Sequence, residues 1–588
     1  VPVSAWLYRV ERPQPVKTCF IDLSEFKGID NQAPRTLKAI SNPLEPYRYL
    51  ADCGEFLQIP GAPFAYAVSS KFRELFSGTA KLSDLVDFTG SQNVTGRNSR
   101  YVRLWWEVSS AKIGQDKRWV FYSKGGGSRK WWGLLEDVVD WSVQAREFYQ
   151  QNKTSNLLDE RYWFRPGVAY SMLTSNQATF RMFPPGAVYD KGGPAFHPQK
   201  DIDTHFLLGL CNSVFADRVF DVLNPTMNLQ VQDVKNLPVP DCNRGALSQL
   251  TCQCVDLARQ DWDSVETSWD FQHDLRASEV QSVREALQEA RGQRLTRISQ
   301  MRSLEEQVNT VVLTALDLTG ELSAAVPEGR VTLYCSDQRE DIARLVSYSI
   351  GCMMGRYSLD EPGLIYAHSG NNGFDFRQYK TFAPDQDGII PVTETTWFDD
   401  DAANRLTEFV SVAWPKEHLE ENLTFIAESL GPTKGEQPRE TIRRYLAQEF
   451  FKDHLKTYRR RPIYWLFSSG KQRAFQCLVY LHRQNEGTLS RMRTEYVIPL
   501  QGKVSARIEQ LAGDIAAATS TAFRSKLTKE RDKLIKQQAE LQAFDEKLRH
   551  YADLRITLDL DDGVRVNYGK FGDLLAEVKA VTGGNSDE

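Results

Sequence analysis

Apolar and polar positions change rhythm along this chain. Residues 1–30 ("VPVSAWLYRV", "VKTCFIDL") alternate and favour strands, as the closing strands of a domain would. A connector bearing Pro and Asn, "DNQAPRTLKAISNPLEPY", follows. From Ala51 to about Pro240, short strand-like runs rich in Trp, Tyr, Phe and Gly predict a mixed α/β or mainly β segment. "DIDTHFLLGLCNSVFADRVFDVL" (201–223) has apolar positions at 206, 207, 210, 214, 215 and 219, which predicts one amphipathic helix stopped by Pro225.

The second half is helical in pattern. "SEVQSVREALQEARGQRLTRISQMRSLEEQVNTVVLTALDL" predicts one or two long helices. "EDIARLVSYSIGCMMGRYSL" and "TIRRYLAQEFFKDHLKTYRRRPIYWLFSSG" predict more. Leu527, Leu534, Leu541 and Leu548 fall seven apart in a charged stretch, and Phe544 and Tyr551 follow three residues after the last two. That pattern predicts an antiparallel helical hairpin or coiled-coil seam used for packing. The expected class is α+β and multidomain.

Composition narrows the picture. At 588 residues, with 41% hydrophobic and 25% charged residues, the chain reads as soluble globular material of three or four domains. No window approaches the roughly 18 uncharged apolar residues of a membrane helix. The start has no basic n-region and no initiator Met, and it opens in mid-strand, which suggests a portion of something larger. The nine Cys are scattered; Cys242, Cys252 and Cys254 come nearest to a cluster, without the second pair or spaced His of a zinc site. Reduced thiols in a bacterial cytoplasm are expected.

Charge is uneven. The net is −5, yet residues 91–200 hold sixteen Lys/Arg against nine Asp/Glu, about +7, leaving about −12 elsewhere. A basic segment in an acidic chain is the footprint of a local polyanion site.

A complete catalytic constellation is not visible. No GxxxxGK[ST] loop, GxSxG elbow or HExxH occurs, and "NPLEP" and "NPTMN" lack the second Pro and the aromatic of an adenine-amine-holding Asn-Pro-Pro-aromatic motif. His197, His205 and His454 lie near carboxylates and read as structural. "KGGGSRKWWG" (124–133) has two readings: phosphate and base packing, or a surface turn over half-buried tryptophans. "KTYRRRPIYWLFSSGK" offers a second phosphate contact or a solvated helix end, and "WFDDDAANR" and "LDLDDG" read as exposed turns or docking faces.

"FTGSQNVTGRNSRYVRLWWEV" (88–108) carries the resemblance. It resembles the target-recognition loop of BREX adenine methyltransferases, and "YSKGGGSRKWWG", "GVAYSMLTSNQATFRMFPPGAVYDKGGPAFHP", "LNPTMNLQVQDVKNLPVP", "SYSIGCMMGRYSLD" and "DLDDGVRVNYGKF" follow in that family's order. The chain looks like the C-terminal half of the PglX family of adenine-specific DNA methyltransferases of BREX phage-defence systems. The resemblance implies a full-length enzyme that transfers methyl from S-adenosylmethionine to adenine N6 in a short DNA sequence and so marks host DNA. It assigns residues 1–44 to the last strands of a Rossmann-like methyltransferase domain plus a connector, and 45–240 to a target-recognition domain. A helical linker (241–330), an α-rich domain (331–500) and a hairpin with the C-terminal segment (501–588) complete the expected organisation.

For DNA, Gln92, Asn93, Thr95, Arg97 and Asn98 are the expected base readers, with Gly90 and Gly96 permitting close approach. Ser175, Asn176, Thr179 and Arg181 form an expected second reading edge. Arg100, Arg103, Lys124, Arg129, Lys130 and Lys191 are the expected phosphate contacts. The expected partners are double-stranded DNA, the missing methyltransferase half, other BREX proteins and an acidic phage protein imitating DNA, with no membrane. No cofactor is expected in this chain itself. The alternative is a protein-interaction scaffold of the BREX complex that does not bind DNA on its own.

Overall fold

The computed structural model describes residues 17–89, 92–173, 177–226, 228–273 and 280–583. It is a mixed α/β structure, about half helical, with small sheets. The first strands, β1 (Thr18–Ile21) and β2 (Arg48–Ala51), pair antiparallel around the helix Ile29–Ser41. β3 (Ala80–Lys81) pairs with β12 (Pro238–Val239), bringing the ends of the following segment together.

Two four-stranded sheets lie between them. One has the order β10-β6-β7-β5, from β5 (Val102–Leu104), β6 (Trp119–Ser123), β7 (Asp137–Asp140) and β10 (Ala187–Tyr189). The other has the order β4-β11-β8-β9, from β4 (Val86–Phe88), β8 (Gly167–Tyr170), β9 (Phe180–Phe183) and β11 (Ala195–Pro198). Alternation along β6 sorts its side chains to two faces. Val120 and Tyr122 pack under the helix Val143–Gln151 with Tyr149 and Trp141, while Trp119 joins the core of the second half of the chain. In the other sheet Val168, Tyr170, Phe180 and Phe196 face the helices, and Ala169, Phe183 and Ala195 face Tyr189 of the first sheet.

The 201–223 pattern forms two helices, Thr204–Cys211 and Val214–Leu223, rather than the one expected. The break lies at Asn212 and Ser213. Asn212 exchanges both of its amide hydrogen bonds with the Phe180 backbone, at 3.0 and 2.9 Å, and Ser213 caps the second helix by accepting from the Ala216 amide. Local side-chain bonds of this kind outcompete helix continuation. The helix ends at Leu223, just before Pro225.

Val283–Leu316 is a single helix of 34 residues, capped by Ser282. Its first turns (Val283, Ala286, Leu287) belong to one apolar core and its last (Met301, Leu304, Val308, Val312, Leu313) to the other. The expected hairpin forms from Ile498–Ala517 and Thr521–Asp553, with Leu527, Leu534, Leu541, Phe544 and Leu548 buried. "PIYWLFSS", expected as helix, is instead β14 (Tyr464–Ser468), which pairs with β15 (Gln476–Tyr480); β13 (Ile389–Pro391) pairs with β15 on its other side. These strands are buried on both faces, so they show no alternation to betray them. Glu540 of the hairpin accepts from Ser469 Oγ (2.7 Å) and the Gln472 amide (2.7 Å), holding the β14–β15 turn.

In the acidic stretches Asp399, Asp559 and Asp562 are exposed, as expected, but one carboxylate of each stretch is buried. Asp401 is fully buried, caps Ala402–Ala413 and pairs with Arg443 at 2.5 Å. Asp561 is 6% exposed and accepts from Lys112 Nζ (2.6 Å), Arg118 Nη1 (2.7 Å) and Trp119 Nε1 (2.8 Å). Of the arginine run, Arg459 pairs with Glu136, and Arg461 Nε lies 3.9 Å from Glu107. Arg459 stays half-exposed beside the buried Glu136, while Arg461 is partly buried beside Glu107.

Candidate nucleic-acid interface

The loop after β4 is anchored before it is displayed. Asn93 bridges to Asp190 through its backbone. Its carboxamide donates to the Tyr189 carbonyl (3.2 Å) and accepts from the Leu158 amide (2.9 Å). Val94 and Asn156 exchange backbone hydrogen bonds at 2.8 Å. Thr95, 2% exposed, donates its hydroxyl to Asn98 Oδ1 at 2.6 Å. Gly96 has φ +69°, and a Cβ there would lie 2.8 Å from Thr154 Oγ1, so only glycine fits.

The expected base readers therefore divide. Asn93 and Thr95 are turned inward as bolts of the loop, because their polar groups satisfy buried neighbours. Gln92 is half-buried; Arg97 and Asn98 are exposed, with the Arg97 guanidinium 5.6 Å from the Phe148 ring centroid. Thr179, just before β9, and Arg181 within it are also buried, at 0% and 2% exposure. Arg181 Nη2 donates to Ser171 Oγ at 3.1 Å, and burial pushes its guanidinium down to about 10. Gly90, Ser175 and Asn176 lie outside the described residues.

The expected phosphate contacts divide in the same way. Arg100 and Lys191 are exposed. The Asn93–Asp190 bridge places Lys191 beside the loop. Lys124 is half-buried and pairs with Asp190 at 3.1 Å. Arg103 turns from solvent to the Asp561 carbonyl (3.2 Å) and, against the raising effect of Glu107, burial holds its guanidinium below the usual range. Arg129 is buried, donating to Asp261 Oδ2 (2.8 Å) and the Ala258 carbonyl (2.9 Å) over the Trp262 ring. Lys130, 5% exposed, donates to the Asn212 carbonyl at 3.2 Å. Arg129 and Lys130 thus hold the fold together and are not phosphate contacts in this conformation. Trp131 is buried with its indole N–H on Glu305 Oε1 (2.7 Å), so it offers no stacking platform either.

The glycine run has a packing reason. Gly125, Gly126 and Gly127 all have positive φ, and a Cβ on Gly125 would collide with the Gly192 carbonyl. Lys153, exposed on the strand of chain that touches Gly96 through Thr154, was not among the expected contacts. Its signal was "NKTSN", which repeats the small, polar and basic character of the loop.

Among the buried titratable groups, burial raises Asp137 to about 7 against the pull of Lys124 and Arg459. His197 is buried with Nδ1 3.0 Å from the Pro166 carbonyl, and burial lowers it; burial takes His454 down to about 3. Both rings are neutral core members near pH 7. Among the described residues no cluster of His, Cys, Asp and Glu converges as metal ligands, and no helix is long and apolar enough to cross a membrane. The exposed rim displays guanidinium, ammonium and amide donors suited to holding a polyanion.

The proteins most informative about this arrangement are adenine-specific methyltransferases. The chain is 38% identical over 618 residues to the adenine-specific methyltransferase BrxX of Escherichia coli O9:H4 (strain HS), covering 99% of this chain and 50% of that protein. It is 33% identical over 595 residues to the adenine-specific methyltransferase PglX of Lacticaseibacillus casei (strain Zhang), covering 97% of this chain and 49% of that one. No protein-family model matches. The chain is a relative of the PglX/BrxX-type adenine-specific methyltransferases, and it spans about half the length of the curated relatives it matches.

Proposed function

We propose that this chain is the target-recognition and scaffolding portion of a BREX-type adenine-N6 DNA methyltransferase, with residues 45–240 as the module that meets DNA. The observation that carries the reading is the exposed edge of the 92–100 loop. Arg97, Asn98 and Arg100 project from a backbone bolted by Asn93, Thr95 and the Asn156 exchange, with Lys191 alongside. Arg97 and Asn98 read base edges, Gln92 assists, and Arg100, Lys191, Lys124 and Lys153 set register on phosphates. An acidic phage protein shaped like DNA competes for the same rim.

Methyl transfer from S-adenosylmethionine, and the marking of host DNA it achieves, belong in this proposal to the other half of a full-length protein. The N-terminal surface supports such docking. Leu37 and Ile40 on the helix Ile29–Ser41 are 69% and 64% exposed, Leu44 just beyond it is 88% exposed, and Leu57 and Phe64 in the following segment are exposed as well. Apolar surface concentrated in this way marks a site of association.

The experiment is a titration of the purified chain with duplexes of varied sequence at two salt concentrations. Binding that weakens steeply with salt and prefers particular sequences supports the reading. Absence of binding at low salt rejects it.

A further inference from the structure

The helix Thr521–Asp553 carries its charges in two unlike parts. Residues 521–536 hold six Lys/Arg against two Asp/Glu, and residues 537–553 hold two against four. The acidic part is seated on the body of the molecule. There Glu540 holds the β14–β15 turn, Asp545 pairs with Arg493 at 2.8 Å, and Leu541, Phe544 and Leu548 are buried. The basic part runs to the turn that joins this helix to Ile498–Ala517.

Lys526, Lys529, Lys533 and Lys536 recur at intervals of three, four and three. That spacing sets them in one row on the helix surface, about 15 Å long at 1.5 Å per residue. All four are exposed. The acids of this part are already taken: Glu530 by Arg507 at 2.8 Å, and Asp532 by Arg531 at 2.9 Å. Lys533 reaches Glu394 at 3.0 Å while its side chain stays 54% exposed. Lys526, Lys529 and Lys536 form no ion pair among the described residues, so the row keeps most of its charge for solvent or a ligand.

A helix face built for its own stability alternates its charges. Lysines three and four apart repel one another and weaken the helix. The first turn also holds no acid, although the helix dipole favours one there. The row gives up local stability to concentrate positive charge at one place in a chain whose net charge is −5.

We propose that this lysine row is a sequence-independent contact for the sugar-phosphate backbone of duplex DNA, in addition to the 92–100 rim. The inference rests on the reading of this chain as DNA-binding, and it gives the hairpin a role beyond the packing its leucine spacing predicts. Lysine is a compact point charge on a flexible stem, suited to holding phosphates without reading bases. No apolar side chain interrupts the row; Phe523 and Ile535, exposed on the same helix, fall off it by helical spacing. Protein interfaces are depleted in Lys and centred on aromatic residues. The chemistry therefore favours nucleic acid over an acidic protein.

The test is binding of the full chain to labelled duplexes over a series of salt concentrations. The triple variant Lys526→Gln, Lys529→Gln, Lys536→Gln keeps the Lys533–Glu394 pair and places a good helix former at each position. It should weaken binding to every sequence about tenfold or more, and lower the salt slope by about 3, one for each unpaired lysine. Sequence preference should stay, and the melting temperature should hold or rise as repulsion is relieved. A control triple, Lys380→Gln, Lys416→Gln, Lys434→Gln, removes exposed lysines elsewhere in the helical half and should leave the slope within about 1.

An unchanged slope in the row variant overturns the proposal and leaves the rim reading standing. Equal losses from the two triples overturn it too, since net charge alone would then explain them. Poly-L-glutamate binding that is lost in the row variant while duplex binding persists assigns the row to an acidic protein instead. Absence of duplex binding by the unmodified chain at low salt removes both this proposal and the reading beneath it.

Discussion

Asp561, near the C-terminal end, accepts the indole N–H of Trp119 at 2.8 Å across 442 residues of sequence. The same carboxylate takes Lys112 and Arg118, so the β6 strand is fastened by a segment that sequence alone read as an exposed turn or docking face. Asp561→Ala leaves a buried indole N–H unpaired and should destabilise the chain by about 1–3 kcal/mol, read by urea unfolding. The Lys112 and Arg118 heads are half-solvated and add little to this.

Acid should release the same fastening. Burial pushes the Asp561 carboxyl up, but hydrogen bonds from Lys112 and Trp119 and the charge of Arg118 hold it below the usual range. Its contribution is present above the unfolded carboxylate pKa and is lost as pH falls through the folded value. Asp561→Asn should flatten the acid limb of stability against pH, and an unchanged limb would remove Asp561 from its cause.

Asp137 behaves oppositely. Its pKa of about 7 lies above the unfolded value, so stability is fully present below the unfolded pKa and declines as pH rises through 7. Asp137→Asn should stabilise the chain at pH 8 by on the order of 1–2 kcal/mol and leave it nearly unchanged at pH 4. Melting curves at the two pH values decide it.

The division of the basic residues is testable in DNA binding. Arg97→Ala should lose about 1–3 kcal/mol at preferred sequences and little elsewhere. Lys191→Ala should weaken all sequences alike and reduce the salt slope by about 1. Arg129→Ala, which strands the buried Asp261 carboxylate, should lower thermal stability first. Equal losses on every duplex for Arg97→Ala and Lys191→Ala would sink the assignment.

Gly125→Ala tests the glycine loop. A left-handed φ costs a residue with Cβ about 1–2 kcal/mol, before the collision with the Gly192 carbonyl is counted. Loosening of the β6–β10 pairing, seen as faster amide exchange at Tyr122 and Val188, is expected; unaltered exchange would show the loop to be free of that constraint.

What the sequence showed depended on periodicity. The seven-residue leucines of 527–548 and the amphipathic run of 283–316 forecast their helices because one face of each repeats. β14 and β15 were hidden because Tyr464–Phe467 and Gln476–Tyr480 are buried on both faces. At the rim, residue type marked the loop but not the direction of its side chains. Asn93 and Arg97 read alike as hydrogen-bonding residues, yet a bridge to Asp190 turns one inward and leaves the other outside. Arg129, Lys130 and Asp561 carried the same ambiguity, since a charge in a string of letters does not reveal the buried counter-charge that claims it.

The helix Val283–Leu316 spans about 50 Å at 1.5 Å per residue and seats one end in each apolar core. It therefore acts as a strut. A push on the core at its first turns cannot be absorbed in a slack linker and arrives in the other core as a displacement of Met301, Leu304 and Val308. Load carried between the two halves of the molecule has a stiff path to follow.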